Sequence, residues 1–453
     1  MQFESSKRNT CARLIAGTVL FCLASAAGAV TTLVGGGSAS PVIGYTGVPA
    51  FPVPILAPIV PATGSLLGVY SSASGGGDPT TYCPTGGTVG KKILAGNDPA
   101  NYQVNHVCSG FMSTGFGGVG LAQPFFAGSD APMTSSEFNA YVAGHGAGTQ
   151  PVQLPSIAGA IAIVFRKDAN AATGTPAVNS MTLTEAQICG IFSGQIRTWD
   201  DVALAGTGIP AGTAGPINVV YSGESGGISY GLLNHLSAVC PSNVAAGKAA
   251  AVNFKTLQAF AMGAGWYIPS YSTSFASPFD AIVPSYVNAT NGSIGYADVA
   301  DAVRAPARIA SVRNSHTTLA VSPLTGFGVT PQPVFLSYHL AIADVVSPNG
   351  RPVLTPLPTA SQCIAVVDPS SYADPSSGYP ILNVSYLLAN AQGNGAETAA
   401  VRGLLFSPYN KTTRPQVTRI GHITTGYAWL SNATLDSTDP VGGIWGKINA
   451  CVN

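Results

Sequence analysis

The sequence predicts an α/β fold in which short buried strands alternate with amphipathic helices. Two stretches carry that reading. Ile157 to Phe165 (IAGAIAIVF) is a continuous apolar run of strand length. Pro216 to Tyr221 (PINVVY) reads as another strand, and Ile228, Leu232, Leu233, Leu236 and Val239 then recur at helical spacing after a Gly-rich turn. Strand, turn, helix is the α/β signature. Two capping patterns add helix starts: Thr182 with Glu185, opening a helix through Phe192, and Thr134 with Glu137, just after Gly128-Ser129-Asp130. Pro41 to Pro79 and Pro356 to Pro380 are rich in Pro, Gly and Ser without periodicity and read as long loops or edge structure. No internal repeat is evident.

A chain of 453 residues usually divides into two or more domains. Apolar residues make up 46%, ample for a core, while charged residues make up 8%, against roughly 25% in an ordinary globular domain. The surface must therefore be dressed with Ser, Thr, Asn and Gly. Net charge is zero and no Lys/Arg cluster occurs, which argues against nucleic acid or an acidic membrane as partner. Lys7, Arg8 and Arg13 precede an apolar run from Leu14 to Ala27, and Ala27-Gly28-Ala29 offers small residues for cleavage. Residues 1–29 thus read as a secretory signal peptide, too short in its apolar part to span a bilayer. Phe21 before Cys22 does not suit a lipidated cysteine, so no lipid anchor or membrane insertion is expected.

Cys11 and Cys22 fall within the signal, and six cysteines remain: Cys83, Cys108, Cys189, Cys240, Cys363 and Cys451. An even number in an exported chain points to disulfides. Pairing in order would close plausible loops, but six cysteines allow 15 connectivities. None lies in a CxxC pair, and the six histidines show neither HExxH nor paired spacing, so neither metal nor cofactor is expected. Trp199-Asp200-Asp201 reads as structural. Five Asn-x-Ser/Thr sequons, beginning at Asn288, Asn291, Asn383, Asn410 and Asn432, read as products of composition.

Three loops could carry chemistry: Gly35 to Pro41, Ala127 to Pro132, and Ser222 to Ser229. A Gly/Ser turn at a helix N-terminus presents free backbone N–H groups, which with the helix dipole bind anions. It can equally be a plain turn and cap. Gly223 to Gly227 also fits G-x-S-x-G between strand and helix, which would make Ser225 a nucleophile, with His422 or His339 as base and Gly144-His145-Gly146 as an oxyanion loop. The anion-loop reading explains the same residues, and no catalytic residue is assigned.

The motif order resembles the phosphate-binding proteins of bacterial phosphate importers, most of all the DING branch. GGGSASP is similar to that branch's opening GGGATLP. TGGTVGK with Gly96-Asn97-Asp98 resembles its second loop, and AGSDAPMT its AGSD loop. LTEAQICGIFSGQIRTWDDV resembles LxxxxLCxxFSGxIxxWD, INVVYSGESGGIS the strand and RSxSSGTT loop, and SGYPILNVSYLL a C-terminal strand. The likeness runs from about Leu33 to Cys451. It implies a two-lobed periplasmic-binding-protein-like fold (type II), with mixed sheets flanked by helices and a ligand cleft between the lobes. Residues 30–156 would begin lobe 1, 157–312 would form lobe 2, and 313–453 would return to lobe 1, with crossings near Leu154–Ile157 and near Ile309. A Cys189–Cys240 bridge is also implied.

The resemblance implies a ligand set of Ser38, Ser40, Thr88, Ser129, Asp130, Ser225, Gly226, Gly227 and Ser229. The family's proton-accepting Asp falls on Asp130. Its opening-loop Thr falls on Ala39, between Ser38 and Ser40, and its second-loop Ser falls on Gly87, beside Thr88. Its Arg falls on Ser222, and its Ser-Gly-Thr triplet falls on Gly226, Gly227 and Ile228. A buried dianion needs compensating charge and a full set of donors. Losing one charge-assisted partner costs about 1.5–3 kcal/mol and each neutral hydroxyl about 0.5–1.5, on the order of three decades of affinity together. Arg166 is the candidate replacement cation. The expected function is extracytoplasmic binding, possible only weakly for phosphate, of a small anion or polar solute, with an ABC permease as partner. The alternatives are a secreted surface or matrix protein without ligand and a Ser225 hydrolase. Periplasmic or extracellular location follows from the leader.

Overall fold

The apolar run around Ile157 lies within a 16-residue strand, Pro151–Arg166, that belongs to both halves of one sheet. The computed structural model describes residues 31–49, 57–72, 75–96, 108, 116, 124–223, 226–251, 254–258, 260, 272–275, 282–317, 319–325, 340–358, 363–421, 425–430 and 443–453. The expected signal peptide lies outside them. In chain order the strands are β1 (Leu33–Gly37), β2 (Thr80–Cys83), β3 (Phe126–Ser129), β4 (Pro151–Arg166), β5 (Thr182–Thr184), β6 (Asn218–Ser222), β7 (Ser272–Phe275), β8 (Ser293–Asp298), β9 (Arg308–Ile309), β10 (Ser311–Arg313), β11 (Ala320–Val321), β12 (Leu340–Ile342), β13 (Leu354–Pro356), β14 (Leu382–Asn390) and β15 (Tyr427–Trp429). The helices are α1 (Val42–Thr46), α2 (Leu66–Tyr70), α3 (Gly87–Leu94), α4 (Ser135–His145), α5 (Glu185–Phe192), α6 (Gly227–Val239), α7 (Ile282–Ala289), α8 (Val299–Arg304), α9 (Thr398–Phe406) and α10 (Ile444–Cys451).

The sheet order is β2-β1-β3-β14-β4-β8-β6-β7, with β15 and β9 also paired to β4. The first part of β4 pairs antiparallel with β14 as far as Ala160, and the rest pairs with β8 from Ile161 onward. The cores divide at the same place. Val152, Leu154 and Ile157 pack with the first half, whereas Ala160 to Phe165 pack with α5, α6 and the second half. Each half is thus a mixed sheet with its own core, and the fold is a two-lobed α/β architecture. Within each half the parallel strands are β2, β1 and β3, then β8, β6 and β7. Loops after such strands gather at one edge, where α/β sheets bind ligands.

Two local expectations need correction. The helix at 185–192 is capped by Thr184 with Gln187, not by Thr182 with Glu185. Both pairs fit the same pattern, but Thr182 to Thr184 pair with Ser311 to Arg313, so the ladder keeps the chain extended as far as Thr184 and the helix starts only at Glu185. The chain also stays with the second half beyond Ile309: β9 pairs with β4 at Val164–Phe165, β10 with β5, and β11 with β10. The Thr134–Glu137 capping box is present at the start of α4.

Three disulfides join Cys83 to Cys108, Cys189 to Cys240 and Cys363 to Cys451. The second clamps α5 to the end of α6. Among the described residues no helix is long and apolar enough to cross a membrane, and no group of three or more His, Cys, Asp or Glu could hold a metal ion.

Candidate functional site

Asp130 follows the last residue of β3 and is 1% exposed. The ends of two neighbouring elements close around it. Ser38, just past β1, donates its backbone N–H to the Gly128 carbonyl at 2.9 Å. Gly86, the residue before α3, donates its N–H to the Gly37 carbonyl at 2.8 Å. These bonds stack the turns after β1, before α3 and after β3. Beneath them lie Tyr45 and Tyr82, edge to face at 5.8 Å. The Tyr82 hydroxyl donates to the Ser38 carbonyl at 2.8 Å, and the Tyr45 and Ser156 hydroxyls bond at 2.5 Å. Both phenols are near enough to feel the charge of Asp130.

From the second lobe, α6 points its N-terminus at Asp130. Its first amide, on Gly227, donates to Asp130 Oδ1 at 3.1 Å. The preceding amide, on Gly226, donates to the Gln258 carbonyl at 2.7 Å. No side chain of the helix caps itself. Glycine is needed at this contact: a Cβ on Gly227 would lie 2.2 Å from the Cγ, carbonyl carbon and carbonyl oxygen of Asp130. Gly87 is also close, since a Cβ there would come within 2.9 Å of Asp130 Oδ1. A serine at position 87 would have to displace the carboxylate in this closed arrangement.

Burial raises the Asp130 pKa above the ordinary carboxyl range, opposed by the Ser38 hydroxyl, its own backbone amide, the positive charge of Lys91 and the Gly227 N–H. Desolvation of a charged form is the physical cause. Lys91 is itself a buried cation on α3, 3% exposed. Its Nζ lies 2.7 Å from Glu137 Oε2 and 3.4 Å from Gln258 Oε1. Gln258 also accepts from the Thr88 hydroxyl at 2.8 Å and donates Nε2 to Glu137 Oε1 at 3.4 Å. One glutamine thus ties α3 and α4 to the residue before α6.

The expected ligand residues separate under this geometry. Ser38, Asp130, Gly226 and Gly227 come together. Thr88 stands one residue from Gly87 and faces Gln258. Ser40 is buried, and its carbonyl accepts from the Tyr427 hydroxyl at 2.5 Å. Two hydroxyls already have partners within the protein. Ser129 Oγ donates to the Ala131 carbonyl at 2.7 Å, closing its own turn, and Ser229 Oγ bonds the Tyr296 hydroxyl at 2.7 Å inside the second lobe. Ser225 lies outside the described residues, as do His339 and His422. His145 stacks on Tyr141 at 4.1 Å and bonds the Leu94 carbonyl, so Gly144 to Gly146 is a helix end rather than an oxyanion loop. Arg166 does not replace the missing arginine. It bonds Asp168 at 2.6 Å and the Asn288 carbonyl, two groups at the far end of β4.

The site roles of Lys91, Glu137, Gln258 and the two tyrosines were not anticipated. Lys91 follows Gly87 by one helical turn and so lies on the same face of α3.

A comparison with known proteins places this geometry in a family. The chain is 27% identical over 358 residues to "Alkaline phosphatase L" of Pseudomonas aeruginosa, covering 78% of this chain and 79% of the relative. It is 29% identical over 296 residues to a "Phosphate-binding protein" of an unknown prokaryotic organism, covering 63% and 71%. The crystal structure of a phosphate binding protein from Stenotrophomonas maltophilia superposes with a TM-score of 0.58 at 23% identity, covering 93% of this chain and 98% of that one, a likeness of fold. The PBP superfamily domain matches residues 90–405, which spans Asp130, the N-terminus of α6 and the shared strand, and the chain belongs to that superfamily.

Proposed function

We propose that the protein is an extracytoplasmic solute-binding protein that holds phosphate, or another small oxyanion, in the interlobe cleft at Asp130. The observation that carries this reading is the meeting of Asp130 with the N-terminal amide of α6 beside a buried lysine. Helix N-terminal amides favour anions. Here Asp130 and the Gln258 carbonyl satisfy those amides from within the protein. Opening the lobes parts the Gly227 amide from Asp130 and frees it for an incoming anion, and closure returns it to a filled cleft, while Gly226 stays bonded to Gln258 of its own lobe.

Burial raises the Asp130 pKa, which eases the approach of an anion to this carboxyl group. Lys91 provides the positive charge that Ser222 cannot. Glu137 partly cancels it at 2.7 Å, so affinity is modest. The working ligand set is Ser38, Thr88, Asp130, Gly226 and Gly227, with Lys91 behind them. Lobe 1 is assigned to residues 30–156 and the returning last third, and lobe 2 to the chain from Ile157 through at least Val321. Its location is periplasmic or extracellular, supported by the basic-apolar leader and by three disulfides. Delivery to an ABC permease follows from this role.

Calorimetry on the mature chain from Val30 tests the reading. Phosphate should give saturable heat, and Lys91→Met should weaken binding by about 1.5–3 kcal/mol through loss of a charge-assisted partner. Absence of heat up to about 10 mM phosphate would contradict it. Turnover of p-nitrophenyl phosphate together with fluorophosphonate labelling of Ser225 would show a hydrolase instead.

A further inference from the structure

A second cavity lies at the opposite end of the first-lobe sheet from Asp130. Asp130 follows the C-terminal end of β3, whereas this cavity opens beside Asp78, two residues before the N-terminal end of β2. It measures about 600 Å³, within the usual range of small-molecule sites. Its walls come from the end of α2, the turn at Gly75 to Asp78, α9 and α10.

Three aromatic rings and one carboxylate define its chemistry. Phe406 and Trp445 meet edge to face, with centroids 4.9 Å apart and planes at 61°. Tyr70 is held in place by its hydroxyl, which donates to the Ala400 carbonyl at 2.7 Å. Gly77 is pressed onto the Tyr70 ring, where a Cβ would lie 2.4 Å away. Gly403 leaves the other side open, since a Cβ there would sit 3.4 Å from the ring. Asp78 is the charged residue of the lining, and the Glu397 carboxylate acts on Tyr70 from nearby. Aromatic faces attract cations through their quadrupole, most strongly where water is excluded. The electrostatics therefore reject an anion here, in contrast to the cleft.

We propose that this cavity is a binding site for a small organic cation of the quaternary-ammonium class. The aromatic walls take the alkylated nitrogen and Asp78 supplies the counter-charge. The site is separate from the cleft, so it fills whether or not phosphate is bound.

Choline is the probe, and its uncharged carbon isostere 3,3-dimethyl-1-butanol is the control. Titration of the full mature chain should show saturable choline binding with a change in tryptophan fluorescence that disappears in Trp445→Phe. The isostere should bind at least about tenfold more weakly, the difference expected from a partly desolvated cation–π contact. Asp78→Asn should weaken choline by a similar factor, and Gly403→Leu should fill the cavity and block it. Melting temperatures of the variants without ligand check that each is folded. No saturable choline binding, equal binding of the isostere, or choline binding indifferent to both Asp78→Asn and Gly403→Leu would overturn the proposal. Preferential binding of glucose would overturn it in favour of a sugar site.

Discussion

The Cys189–Cys240 bridge ties α5 to the end of α6, yet the N-termini of these two helices are finished in opposite ways. At α5 the helix caps itself. The Thr184 hydroxyl accepts the Gln187 N–H at 3.2 Å, and Gln187 Oε1 accepts the Thr184 N–H at 2.9 Å. At α6 no side chain of the helix contributes. Gly227 gives its N–H to Asp130 and Gly226 gives its N–H to Gln258. The first end needs nothing beyond its own residues. The second takes a partner from the other lobe, so its satisfaction depends on whether the lobes are closed. That difference separates a structural helix start from a working one: an orphan amide has to be answered, and what answers it at α6 can move away.

The comparison can be broken most sharply at Gly227. A Gly227→Ala methyl would meet Asp130 at 2.2 Å. Overpacking of this kind costs about 1–3 kcal/mol, here charged against lobe closure, or roughly ten- to a hundredfold in phosphate affinity. Small-angle scattering should show a more open particle, and calorimetry the weaker binding. A variant that closes and binds normally would mean that α6 does not bear on Asp130 as described.

The next effect concerns the charge that α6 faces. Asp130 has a raised pKa because burial disfavours its ionised form. Such a group stabilises the fold while protonated. That stability is complete below the ordinary carboxyl range and is lost as pH rises through the raised value. Asp130→Asn keeps an oxygen acceptor for Gly227 and removes the charge. Wild-type melting temperature should therefore fall relative to Asp130→Asn as pH increases from about 4 to 8, followed by scanning calorimetry. Parallel curves would contradict the assignment. The smallest effect belongs to the self-sufficient end. Thr184→Ala should cost about 1 kcal/mol of stability and leave phosphate affinity unchanged, since the Thr184 hydroxyl caps α5 and not α6.

How far the sequence could be read follows the same division. Local features were legible: the strand at Ile157, the Thr134–Glu137 box and the strand–turn–helix after Pro216 all depend on residues a few positions apart. Even there, Thr182 and Thr184 offered overlapping caps, and only the ladder with Ser311 to Arg313 decided between them. The loops around Asp130 were legible because Gly and Ser before a helix have a backbone meaning of their own. Lys91, Glu137 and Gln258 were not, because they meet across 46 to 167 positions of sequence. Arg166 misled for the converse reason. Its place at the end of the central strand suggested the cleft, but Asp168, two residues away, claims it at 2.6 Å.

The central claim is that the Gly227 amide of α6 exchanges a protein partner for an anion. A crystal structure of the mature chain grown with phosphate tests it most directly. The account expects tetrahedral density between Asp130 and the Gly227 amide, with that amide bonded to the anion and no longer to Asp130 Oδ1 alone. Phosphate absent from the cleft at saturating concentration, with the 3.1 Å Gly227–Asp130 bond intact, would contradict it.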